Sequence, residues 1–292
     1  MKPSSQQLES LLRETPAAAR IRRQNAFDDA VAGRRQIVIF GAGNLGRSVL
    51  RGLSGTDLEP VAFADNNPRT WGTTADGLPV LSPQDAANRH SQDAAFVVAV
   101  WHPSRERLMS ALLDQLRNLG CHAVSFPLLF WRHSSTFLPY YLWDLPENLL
   151  RQRHDIAAAF ELLYDDFSRQ SFVEQIQLRL HADFDCIGAP LPGDQYFPGL
   201  FSLTADECFV DCGSYTGDTI QSFISQSSIS QPGSGFRKVI AFEADPENFD
   251  RLTKWVGTLE APVASRISAL NTAVSANATN CAFGRTEAVA PG

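Results

Sequence analysis

Two apolar rhythms run through the chain. Short, nearly unbroken apolar runs mark buried strands: QIVIF (36–40), AAFVVAV (94–100) and VIAF (239–242). EPVAFADNN (59–67), CHAVSF (121–126), FVD (209–211) and ISALNTAV (267–274) read as further strands. Elsewhere apolar residues recur at three- and four-residue spacing. Residues 104–119 carry Leu108, Leu112, Leu113 and Leu116 along one helical face. Residues 156–167 carry Ile156, Ala159, Phe160, Leu163 and Phe167, and residues 171–180 carry Phe172, Val173, Ile176 and Leu180. Tyr164, Phe167 and Phe172 read as core at such spacing. Strands that alternate with helices predict a mostly parallel sheet covered on both faces.

The fold class is therefore α/β. It comprises an N-terminal Rossmann-like parallel sheet, a helical connector and a partial second Rossmann-like module. Residues 1–33 form a helical arm, with Thr15 as N-cap, Pro16 at the first helical position and Gly33 as the stop. The arm either lies on the next domain or serves oligomerisation. Residues 34–126 form the first α/β module, in which Ser82-Pro83 starts a short helix. Residues 127–194 form the connector. The aromatic stretch FPLLFWRHSSTFLPYYLW (126–143) is broken by Arg132, His133 and two serines, so it is not a membrane span. It reads as an apolar connector packed between domains, with a partner-binding surface as the alternative. Residues 195–292 form the last module, entered through the turn-rich GAPLPGDQYFP (188–198).

Each α/β module opens with a strand, a glycine loop and a helix. In the first, GAGNLG places Gly41, Gly43 and Gly46 after the strand and Asp65 at the end of the next strand, about twenty residues on. The physical reading is a phosphate on the helix N-terminus and a ribose on Asp65. The alternative is that the glycines serve only tight strand-to-helix packing. In the second, FVDCGSYTGDTI (209–220) precedes VIAFEADPENFDRL (239–252). Asp211 ends the first strand and is placed to orient a cofactor's amino-acid end. Gly213 and Gly217 bracket the turn, and Glu243 is placed for two ribose hydroxyls. Asp218 and Thr219, and Asp245 before Pro246, are the helix caps. Asn271 is placed to approach an adenine.

The string VDCGSYTGDT, with EADPENFDRL after it and QYFP before it, resembles the FkbM family of methyltransferases. The resemblance runs from residue 195 to the end of the chain. It implies a class I methyltransferase fold and methyl transfer, commonly to a hydroxyl oxygen. It also implies S-adenosylmethionine held by Asp211, Gly213, Ser214, Tyr215, Gly217, Asp218, Glu243 and Asn271. The string FGAGNLGR…DNNPRTWG…GLPVLSP resembles the N-terminal Rossmann-like domains of sugar-modifying enzymes and some FkbM-type proteins. That likeness implies a nucleotide-sugar or NAD at Gly41, Gly43, Gly46 and Asp65. A doubly wound domain needs about twice the length found after residue 195. FkbM-type enzymes carry a further acidic-glycine segment downstream, and GRTEAVAPG ends this sequence without it. The expectation is a chain lacking its C-terminal catalytic half, so no catalytic residue is assigned.

Composition narrows the partners. A net charge of −7 argues against a general nucleic-acid surface. Cys121, Cys186, Cys208, Cys212 and Cys281 show no metal or disulfide spacing, which suits free thiols in the cytoplasm. MKPSSQQLES has no apolar signal core. None of the six histidines lies in the second glycine-loop module. The leading reading is an S-adenosylmethionine-dependent O-methyltransferase acting on a sugar or another small hydroxyl substrate. An enzyme or sensor that works through the first module, and a non-catalytic scaffold, are the alternatives.

Overall fold

Of the three nearly unbroken apolar runs, 36–40 and 94–98 become inner strands of a six-stranded sheet, and 239–242 the middle strand of a three-stranded one. A computed structural model describes residues 3–100, 108–188, 196–197, 203–230 and 235–275. They fall into two compact units, Met1–Pro190 and Leu191–Gly292.

The first unit holds β1 (Gln36–Phe40), β2 (Glu59–Ala64), β3 (Thr74–Ala75), β4 (Leu78–Leu81), β5 (Ala94–Val98) and β6 (His122–Ser125) in the order β3-β4-β2-β1-β5-β6. All neighbours are parallel except the β3–β4 hairpin. Chain order reverses at β1, which lies between β2 and β5. Such a switch point opens a crevice at the strands' carboxyl ends. Every residue of β5 is buried, as a strand covered on both faces requires. The β3–β4 hairpin turns at Asp76-Gly77, both with positive φ. That Asp-Gly pair is a hairpin signal absent from the strand list read above.

The helices of this unit are α1 (Pro3–Leu12), α2 (Pro16–Ala30), α3 (Asn44–Gly52), α4 (Pro83–His90), α5 (Met109–Asn118), α6 (Phe126–Arg132), α7 (Ser134–Phe137), α8 (Pro146–Arg151), α9 (Arg153–Glu161) and α10 (Asp166–His181). Thr15 and Ser82 cap α2 and α4 through their hydroxyls, as expected. The expected start of α5 at residue 104 lies outside the described residues.

The predicted arm, α/β module and most of the connector form one unit rather than three. α2 buries Phe27 in the sheet's core, and its Arg23 pairs with Glu147 of α8 at 2.8 Å while donating to the Trp131 carbonyl. α1 joins α10 through a core that contains Leu8, Ile176 and Leu180. The aromatic stretch is likewise not an inter-domain connector. Phe126, Phe130, Trp131 and Trp143 are buried with the strands of this same unit. Tyr164 and Phe167 are exposed, not core, at 96% and 61%. α9 ends at Glu161 and Asp165 caps α10, so Tyr164 lies at the corner between the helices and Phe167 in the first turn of α10. Phe172 packs on Phe160 as expected.

The second unit holds β7 (Cys208–Cys212), α11 (Asp218–Ser230), β8 (Lys238–Phe242), α12 (Pro246–Val256), α13 (Ala261–Ala264) and β9 (Ile267–Leu270). Its three strands are parallel in the order β7-β8-β9. Phe209, Val239, Ala241, Ile267 and Ala269 face a core completed by Ile220, Phe223, Leu252 and Trp255. Val210 and Leu270 stay exposed, as do Cys208 and Cys212. β7 therefore alternates rather than being buried on both faces, because described elements cover only one side of the sheet. Phe197 of the predicted QYFP segment packs on Phe209 and Phe223, while Gln195 and Pro198 lie outside the described residues.

Cys121, Cys186, Cys208 and Cys212 are free thiols, and Cys281 lies outside the described residues. Among the described residues no helix is long and apolar enough to cross a membrane, and no His/Cys/Asp/Glu group has metal-binding geometry.

Candidate functional site

Both glycine turns are built on one hydrogen-bond pattern. After β1, the Gly41 N–H donates to the Ala64 carbonyl at 2.7 Å. The Asp65 carboxylate then accepts the Ala42 N–H on one oxygen and the Asn67 N–H on the other, each at 2.8 Å. After β7, the Gly213 N–H donates to the Phe242 carbonyl at 2.8 Å. Glu243 accepts the Tyr215 N–H at 2.7 Å and the Asp245 N–H at 2.8 Å. In each unit the acidic residue just past the second strand thus holds the loop. Each of its oxygens keeps lone-pair capacity for a further donor.

The glycines divide by what surrounds them. At Gly46 a side chain would reach within 1.8 Å of the Gly41 carbonyl oxygen, so helix α3 can approach β1 only without one. Gly41 has φ +111°, and a Cβ there would press on Val100 and the Ala99 carbonyl. Gly43 is different: a Cβ there meets nothing within 4 Å. It faces a cavity of about 380 Å³ bounded by Gly41, Asn44, Asp65, Asn66, Tyr140 and Tyr141, among others. Sequence reasoning missed the two tyrosines, because it read their aromatic run as a packed connector or a partner-binding surface and not as a cavity wall.

The second turn has the same division. Gly217, at φ +97°, lies against Trp255, whose ring a Cβ would meet at 2.5 Å. Gly213 faces open space. Ser214 is buried and its hydroxyl donates to the Asp211 carbonyl at 3.0 Å. Tyr215 adopts a left-handed backbone and is half exposed. Asp218 starts α11, and Asp245 caps α12, accepting the Asn248 N–H. Asn271 follows β9, and its amide donates to the Glu243 and Ala244 carbonyls at 2.9 and 3.3 Å. It thereby ties the end of β9 to the turn after β8.

Asp211 is the anomaly of this turn. Its Oδ2 is shielded from water and, among the described residues, accepts no hydrogen bond. Burial pushes its carboxyl above the ordinary aspartate range, and the Asp218 and Glu243 carboxylates push it further, against the opposing Ser214 hydroxyl. A carboxylate oxygen sealed beside an open glycine is a vacant acceptor for a donor, best a cationic one.

Comparison with solved structures assigns the architecture. The FkbM methyltransferase of Methylobacillus flagellatus KT superposes with a TM-score of 0.66 over 88% of this chain and 73% of its own, at 19% identity. The chain shares the fold of that protein. UDP-D-quinovosamine 4-dehydrogenase from Vibrio fischeri overlaps 32% of this chain and 77% of its own, at 21% identity and a TM-score of 0.28, too low to bear on the fold. No protein family and no curated protein matches the sequence. The coverage of the FkbM structure gives no support to the expected loss of a C-terminal catalytic half.

Proposed function

We propose that the second unit binds S-adenosylmethionine and that the protein is a methyltransferase, acting on a hydroxyl of a sugar or another small molecule. The observation that carries this reading is the sealed, unpartnered Oδ2 of Asp211 beside the open face of Gly213. The residues fit the cofactor. Its ammonium group supplies the donor that Asp211 lacks, and a cation there offsets the burial and like-charge repulsion that disfavour the carboxylate. The free lone pairs of Glu243 can accept two ribose hydroxyls. Backbone N–H groups already fix the orientation of this carboxylate, so little ordering remains to be done on binding. Gly213 leaves space for the backbone to approach the ligand.

When bound, the cofactor would supply an electrophilic methyl group on a sulfonium: the acceptor oxygen would form the new C–O bond as the C–S bond breaks, releasing the thioether and, from the hydroxyl, a proton to solvent. The chain's part in this is alignment: Asp211 fixes one end of the ligand, Glu243 the other, and the turn between them the distance. The hydroxyl acceptor rests on the family resemblance alone.

Calorimetric titration of the full chain with S-adenosylhomocysteine tests this reading. The unmodified protein is expected to bind. Asp211→Asn is expected to weaken binding about tenfold or more, because it removes a charge-assisted hydrogen bond. Absence of binding by the unmodified protein, or equal binding by the variant, would contradict it.

A further inference from the structure

Three large apolar side chains face water together at one corner of the first unit. Leu162, Tyr164 and Phe167, where α9 gives way to α10, are 84%, 96% and 61% exposed. A single exposed apolar side chain is ordinary, but three so close together form a patch. The helix pair does not need them for its core, which buries Phe160, Val173 and Ile176. The patch has an acidic rim, because Glu161, Asp165 and Asp166 are exposed beside it. The nearest cation in sequence, Arg169, is turned inward: its guanidinium lies over the Phe160 ring and donates to the Leu163 carbonyl. The corner is an apolar knob with negative charge around it.

A recess of about 360 Å³ opens at the other end of α10. Spaces of a few hundred Å³ hold groups of small-molecule size. Leu113, Val124, Leu128 and Ala182 give it apolar walls, Ala182 being the left-handed residue that ends α10. Its polar residues include Arg117, His122 and Ser125, and among the described residues no carboxylate lines it. Ser125 is only 3% exposed, and although it stands at the N-cap of α6 its hydroxyl makes no cap bond. A buried hydroxyl in that state favours an occupant that can hydrogen-bond to it. Arg117 is available as well, because its pair with Asp114 at 3.1 Å is about half exposed and weakly held. The 16 residues of α10 separate knob from recess by about 24 Å. One copy therefore cannot fill its recess with its own corner.

We propose that the α9–α10 corner of one copy docks in the recess beside β6 of a second copy, head to tail. Tyr164 and Phe167 enter between the apolar walls, and the carboxylates of the corner face Arg117. Tyr164 carries, on an apolar ring, a hydroxyl that can pair with Ser125. Charge selects this occupant. Two corners set face to face would bring like carboxylates together, and an anionic membrane would repel the same rim. A contact between unlike faces leaves each end copy with one free corner or one free recess. Copies therefore add until a ring closes or a filament runs on. Every residue involved belongs to the first unit, so the proposal does not depend on the methyltransferase reading.

Sedimentation velocity of the full chain tests it, from about 1 μM to about 1 mM, the span of weak specific contacts. The mean mass is expected to rise with concentration. Two variants at exposed positions remove one face each: Tyr164→Ser with Phe167→Ser for the corner, and Arg117→Glu for the recess. Each is expected to melt as the parent does and to weaken association at least about tenfold. Mixed in equal amounts, the two variants are expected to form a dimer and nothing larger, because one supplies the intact corner and the other the intact recess. A parent that stays monomeric throughout overturns the proposal. So does association that either variant leaves unchanged, since loss with the corner variant alone would mean corner-to-corner pairing. A mixture of the two variants that stays monomeric overturns it too.

Discussion

The turn after β1 and the turn after β7 share their hydrogen bonds but not their surroundings. Asp65 and Glu243 play the same part, each tying a loop N–H and the N–H two residues downstream. The first turn stands on a sheet whose inner strand β5 is buried along its whole length. The second stands on β7, whose residues alternate between exposed and half-buried. The polar groups differ too. The Asp65 carboxylate has a hydrogen-bond partner on each oxygen, whereas Asp211 keeps a sealed oxygen with none among the described residues. The turn geometry is thus a local solution that each unit reaches alone. The chemistry a turn offers depends on the residues placed around it: a neutral helix end and a carboxylate in one, a crowded acidic group in the other.

The sharpest way to break this comparison is through the packing glycines. Gly46→Ala sets a Cβ within 1.8 Å of the Gly41 carbonyl oxygen, backbone of a turn whose Gly41 N–H is tied to Ala64, so the first unit is expected to lose more than about 3 kcal/mol or fail to fold. Gly217→Ala meets the movable ring of Trp255 and a strained φ, for a smaller loss of about 1–3 kcal/mol in the second unit. Chemical denaturation followed by limited proteolysis would assign each loss to its unit. Equal losses would show that the two turns are not packed differently.

Hydrogen exchange probes the sheets themselves. The amides of β5 are expected to exchange at least about tenfold more slowly than those of β7, which pairs with one strand and has one covered face. Equal protection would mean that the second sheet is as well covered as the first.

The smallest effect concerns Asp211. Its raised pKa means that the folded unit binds this proton more tightly than the unfolded chain does. The carboxylate therefore costs stability above its folded pKa, and the cost fades as pH falls towards the ordinary aspartate value. Asp211→Asn is expected to stabilise the ligand-free second unit at neutral pH by less than about 1 kcal/mol, since the group is partly exposed. The advantage should shrink as the pH is lowered through the raised pKa. A variant less stable than the parent at neutral pH would show that the charge is satisfied in the free protein.

Much of this was readable from residues alone. β1 and β5 are apolar without interruption, and a strand with two covered faces has no other composition available to it. The caps Thr15, Ser82 and Asp245 announce their helices by side-chain chemistry. The roles of Gly41 and Gly46 were legible as a motif, but the distinction between them and Gly43 needed neighbouring atoms. What stayed hidden depended on distant partners. Tyr140 and Tyr141 reach the cavity only through the fold of the aromatic segment, and that segment's burial in the first unit followed from contacts with α2 and the sheet. The alternation along β7 was hidden for a related reason: Phe209, Val210 and Cys212 are apolar on both faces, and only the fold shows that the described elements cover one of them.

The central claim is that the β7 turn is where S-adenosylmethionine binds. Ultraviolet cross-linking of the methyl-labelled cofactor to the full chain, followed by peptide mapping, tests it most directly. The label is expected in peptides covering residues 208–218 or 238–248, and an excess of S-adenosylhomocysteine should abolish it. Label confined to peptides covering residues 36–67, or none that S-adenosylhomocysteine displaces, would contradict the account.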